Sequence, residues 1–163
     1  MNICGGGEIM GELHPRVKDA LIRMGFIARY EELSEQFSAG RMPPSERLIY
    51  IDGEMVLEML RDLGYEPSFH AKEKFYKIKE EQAGTFSFGF HILLRDGMAT
   101  FVWVVRESGE VLLGSPWSVY SKIMGGAGHR IKTPVFGSYE DLEELLERAF
   151  GMYENFKRAF LND

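Results

Sequence analysis

A single cysteine, Cys4, stands in 163 residues. No internal disulfide can form, and the composition suits a reducing compartment. Histidine is almost as scarce. His14, His70, His91 and His129 are scattered, without the CxxC, HxxxH or HExxH spacing that gathers a metal, so no metal site is expected. Positive charge is also in deficit, with 19 Lys+Arg against 25 Asp+Glu and a formal charge of −6. That balance argues against a chain built to grip phosphate backbones, so nucleic acid is not the expected partner. Long apolar runs are missing. The run Phe101 to Val105 falls far short of the roughly 20 residues that span a bilayer, and no membrane association is expected. Residues 1–10 lack the basic start and apolar stretch of a secretory signal, which makes a cytoplasmic location the expectation. Repeats and low-complexity tracts are absent too.

What the chain does have is core material. Apolar residues make up 45% of it and aromatics 13%, enough for one α+β domain over residues 1–163. Leu13, Val17, Ala20, Leu21 and Met24 recur at helical spacing, with Pro15 in the first turn and Gly25 at the end. Ile27, Tyr30, Leu33 and Phe37 predict a second helix. Leu48 to Ile51 reads as a short strand or an extended lead-in, and Asp52 can cap a third helix with Met55, Val56, Met59, Leu60 and Leu63 on its apolar face. From Ala71 to Gln82, Lys and Glu alternate around Phe75, Tyr76 and Ile78, and helix is favoured over strand.

The middle of the chain predicts an antiparallel meander of about four strands. Thr85 to Leu94 and Thr100 to Val105 are rich in aromatic and β-branched residues, and Asp96-Gly97 supplies a tight turn. Ser108-Gly109 leads to Glu110–Leu113, and Trp117 to Met124 reads as the next strand. Phe86, Phe88 and Phe90 share one strand face, as core beneath the last helix. That helix is the clearest element. Ser138 and Asp141 resemble a capping box, and Leu142, Leu145, Leu146, Ala149, Phe150, Tyr153, Phe156 and Phe160 form one stripe.

Several residue groups could carry chemistry. Glu140, Asp141, Glu143, Glu144 and Glu147 crowd the front of the last helix, where the dipole favours ionised carboxylates, and they form a docking surface for a basic partner. Trp117 and Tyr120, three apart on a strand, would point to opposite faces, leaving one exposed as an anchor beside Arg130. Neither Gly5-Gly6-Gly7 nor Gly125-Gly126-Ala127-Gly128 matches a Walker A or dinucleotide fingerprint, so no cofactor is expected. His129, Arg130 and Lys132 follow the second run and could assist a small anionic ligand there, which is the reading of a regulatory domain.

Cys4 lies before the first predicted helix, and His91 lies in the sequence Phe90-His91-Ile92-Leu93-Leu94, with a hairpin and Gly114-Ser115-Pro116 beyond. This order resembles papain-like bacterial cysteine peptidases, the double-glycine leader peptidases in particular. The resemblance implies a hydrolase with Cys4 as nucleophile and His91 as base. Where that family places an acidic or amide residue before the proline, this chain has Ser115. In size, acidity, lone cysteine and overall plan, especially from Thr85 to Leu161, the chain also resembles the immunity proteins of bacterial polymorphic and contact-dependent toxin systems. That resemblance implies a cytosolic protein that binds one cognate protein toxin and blocks its active site. The expected contacts are Glu140, Asp141, Glu143, Glu144, Trp117, Tyr120, His129 and Arg130. Between the two resemblances, inhibition is the leading expectation.

Overall fold

A computed structural model describes residues 12–125 and 130–162. Pro15 opens helix α1 (Pro15–Arg23), where its missing N–H costs nothing, and Val17, Ala20 and Leu21 are buried along one side. Gly25 then adopts φ +73°, a left-handed geometry that lets the chain turn at once into α2 (Phe26–Gln36). A single 3-10 turn (Pro44–Glu46) follows. Of the two readings of Leu48–Ile51, no strand forms, and the segment is an irregular lead-in to the next helix. Leu48 donates its N–H to the Phe136 carbonyl, while Ile49 and Tyr50 lie exposed. Asp52 caps α3 (Gly53–Asp62) as expected, its carboxylate accepting the Glu54 N–H at 3.0 Å.

The sheet is antiparallel and has six strands, in the order β1-β2-β4-β5-β6, with β3 pairing β4 beside β2. The strands are β1 (Pro67–His70), β2 (Phe75–Ile78), β3 (Glu81–Ala83), β4 (Phe86–Arg95), β5 (Met98–Glu107) and β6 (Glu110–Leu113). The α+β class therefore holds. The segment for which helix was favoured supplies β2 and β3 instead. Tyr76 and Ile78 bury at period two, and Lys74, at φ +57°, turns the chain back from β1. Pairing to β1 and β4 outweighs the modest helical preference of Lys and Glu there. The two predicted hairpin turns are present. Asp96 and Gly97 have φ of +55° and +73°, and Ser108 and Gly109 have +50° and +88°, which is the type I′ pattern that matches strand twist.

The segment read as a strand from Trp117 is helix α4 (Trp117–Gly125). Trp117, Tyr120 and Ser121 bury together at spacings of three and four, so both rings enter the core and neither is an exposed anchor. An aromatic, β-branched octet without a turn signal fits either period, and the core contacts select the helix. Tyr120 also ties α4 to the sheet. Its hydroxyl donates to the Trp103 carbonyl and accepts the Trp103 N–H, each at 3.2 Å.

Helix α5 (Tyr139–Leu161) begins with a reciprocal cap. Ser138 Oγ accepts the Asp141 N–H, and the Asp141 carboxylate accepts the Gly137 N–H, both at 3.0 Å. Its apolar stripe lies on one face of the sheet. Phe150 stacks on Phe90 at 4.4 Å, Phe156 stacks on Trp103 at 4.8 Å, and Phe160 meets Phe88 edge-on at 5.5 Å. Phe26 and Trp117 join the same cluster from α2 and α4. Among the described residues no helix is long and apolar enough to cross a membrane.

Candidate functional site

Helices α3 and α5 run side by side in the same direction. At their starts the Asp52 N–H donates to the Tyr139 hydroxyl at 2.8 Å. At the other end, Tyr65, just past α3, packs its ring 4.5 Å from Phe150. Between them lies an open groove of about 520 Å³, lined by Asp62 of α3 and by Glu140, Glu143, Glu144, Glu147 and Arg148 of α5. Glu144 is the most engaged of these carboxylates. It accepts from Gln36 at 2.8 Å and pairs with Arg148 at 3.4 Å. Glu140, Glu143 and Glu147 are exposed. Asp141 turns the other way, to Gly137, and serves as a cap rather than as a groove residue.

The lower wall of this region is pinned by a polar network. Tyr65 donates to Glu154, Tyr153 donates to Glu81 at 2.8 Å, and Lys157 bridges Glu81 at 2.7 Å and Glu154 at 3.0 Å. Burial, reinforced by the neighbouring carboxylates, pushes both tyrosine hydroxyls up, so they remain donors across the physiological range. The network fixes β3 to α5. Among the described residues no group of three His, Cys, Asp or Glu side chains could hold a metal ion.

His91 belongs to the opposite face of the sheet. On β4 it pairs with Lys77 of β2 and Val102 of β5. Its ring stacks at 4.5 Å on Phe75, which stacks in turn at 4.8 Å on His70. These residues line a second open groove, of about 630 Å³, together with Lys77, Glu80 and Arg106. Burial, aided by the cation of Lys77, lowers the His91 pKa below its ordinary 6.5, so the imidazole is neutral at pH 7. Cys4 lies outside the described residues, so its relation to His91 is not part of this geometry. Val102 also makes an isolated bridge with Pro116, which places Ser115-Pro116 one strand beyond His91.

Of the other expected contacts, Arg130 is exposed and lines a groove with Glu31, Glu32 and Glu35 of α2, so it faces acidic side chains. His129 falls outside the described residues. Trp117 and Tyr120 are core. The fold thus brings Glu140, Glu143 and Glu144 together and adds Asp62, which no local pattern in the sequence singles out. The ring stack was equally hidden, because it depends on the register between β1, β2 and β4. Comparison with known protein families, curated proteins and solved structures finds no match.

Proposed function

We propose that the protein is an immunity-type inhibitor that docks a basic cognate toxin in the α3/α5 groove and blocks it by occlusion. The observation that carries this reading is the row Asp62, Glu140, Glu143, Glu144 and Glu147 along a single groove. Its floor is two helices whose inner sides are locked into the core, so the carboxylates are presented without the cost of ordering a loop. A cleft that handles nucleic acid or nucleotides is basic, and an acidic row complements it. Such complementarity accelerates encounter and rejects acidic partners.

Co-expression with the product of the neighbouring gene, as the candidate toxin, tests the proposal. The wild-type chain is expected to protect the host cell and to co-purify with the toxin. The double variant Glu140→Lys/Glu143→Lys is expected to lose at least about tenfold in affinity, mostly through slower association, with little change in melting temperature. A complex whose affinity ignores the charge reversal, or the absence of any complex, overturns the reading. The hydrolase alternative gains from the neutral, half-buried His91 and is decided at Cys4. Alkylation by iodoacetamide at pH 6 no faster than that of free cysteine removes it, because an activated thiol must be a thiolate there.

A further inference from the structure

We propose that the open face of the sheet holds a nucleoside monophosphate, its base extending the His70–Phe75–His91 stack and its phosphate held by Lys77 with Lys79. This site is separate from the α3/α5 groove, and the two stand or fall independently. It begins with the strands. His70 and Phe75 are cross-strand partners on β1 and β2, and His91 is diagonal to Phe75 on β4. The rings of His70 and Phe75 are nearly parallel, at 6°, and those of Phe75 and His91 are inclined by 26°. Three rings therefore stack across neighbouring strands.

The stack lines the groove that continues past Lys77 and Lys79 to Glu80 and Arg106. Gly89, on the same face of β4 as His91, contributes no side chain, and the next strand offers Val102 opposite His91 and Val104 opposite Gly89. A planar base lying in the groove can stack on these rings, as bases do on aromatic platforms. Glu80 reaches over Gly89: a Cβ built there would lie 3.3 Å from Glu80 Cγ. It is held by Ser87 at 3.3 Å and by Arg106 at 3.4 Å, and its carboxylate is placed to accept from an exocyclic amine.

Charge favours the phosphate. The chain carries a formal charge of −6, yet this groove gathers Lys77, Lys79 and Arg106 against Glu66 and Glu80. Arg106 is engaged by Glu80, whereas Lys77 is half-buried and pairs with no carboxylate among the described residues. An ammonium not paired to a carboxylate is a ready point charge for a phosphoryl oxygen. The groove's volume, about 630 Å³, lies within the range of small-ligand sites and suits one nucleotide rather than a long strand.

Titration of the full chain with AMP, adenosine, inorganic phosphate and a ten-residue single-stranded oligo(dA), followed by NMR, tests this. AMP is expected to move the signals of His70, Phe75, Lys77 and His91, with adenosine and phosphate each binding at least about tenfold more weakly. Phe75→Leu and Lys77→Gln are each expected to weaken AMP by about tenfold, the lower end of what one base stack contributes, while circular dichroism and melting temperature confirm the fold. No movement at these residues under millimolar AMP overturns the proposal. So does phosphate binding as tightly as AMP, which makes the groove an anion site without a base. Oligo(dA) binding more than tenfold tighter than AMP overturns it in favour of a nucleic-acid surface.

Discussion

Along β4, Phe88, Phe90 and Ile92 point into the helices, while Ser87, Gly89 and His91, their neighbours in the chain, point away from them. The first set is at most 1% exposed, and its Phe88 and Phe90 meet rings from α5. The second set meets Glu80, Phe75 and Val104, from other strands and their connections. One alternation thus divides a close-packed face, where volume decides everything, from a face where polar groups and charge decide. The comparison teaches that, among the described residues, the aromatic core gathers on one side of the sheet.

The largest expected effect tests that division directly. Phe90→Ala opens a cavity among Phe101, Trp103, Phe150 and Tyr153, and is expected to cost about 3–5 kcal/mol in urea unfolding. Phe75→Ala, the same deletion on the open face, is expected to cost below about 1 kcal/mol. Equal losses would break the comparison. A middle effect concerns the covered side. Tyr120→Phe strips the N–H and C=O of Trp103 of their partner in a buried place, and a loss of about 1–3 kcal/mol is expected. An unchanged midpoint would mean that the edge of β5 is satisfied another way.

The smallest effect belongs to the open side and appears only with pH. The folded His91 pKa lies below the unfolded value of about 6.5, chiefly through burial and the nearby Lys77, with Glu80 opposing. The unfolded chain then binds more protons than the folded one across that window. The contribution of the neutral imidazole is complete above pH 6.5 and is lost as the pH falls through 6.5 toward the lowered value. His91→Gln is expected to flatten this loss when stability is compared at pH 7.5 and pH 5. A variant that keeps the full slope would assign it to other groups.

The parts of the fold that were legible in the sequence are those settled by local rules. Helix α5 shows its stripe, its Ser138–Asp141 cap and its charge gradient within one segment, and the Asp96-Gly97 and Ser108-Gly109 turns need only two residues each. Where a segment fits two periods, the decision passes to distant partners. Trp117 to Met124 becomes a helix because Phe26 and Trp103 receive Trp117 and Tyr120 together. Phe75 to Ile78 becomes a strand because β1 and β4 lie on either side of it. The site divides in the same manner. The glutamates of α5 are visible as a cluster in the chain, whereas Asp62 joins them only through the parallel packing of α3, and His70 meets His91 only through Phe75.

The link between Tyr120 and Trp103 has a consequence for the protein in a crowded solution. Every sheet that is not closed into a barrel presents two rows of backbone groups to which a foreign strand can add. Here one border is the four-residue β6, and beyond its end β5 is occupied by the Tyr120 hydroxyl at Trp103 and by Pro116 at Val102. At the other side β1 is also four residues long and opens with Pro67, which has no N–H to offer, and β3, which pairs with β4 alone, adds a border of only three residues. Little continuous backbone is left for a visiting strand. A chain with 45% apolar residues is thereby guarded against edge-to-edge aggregation by the shortness and occupancy of its sheet borders.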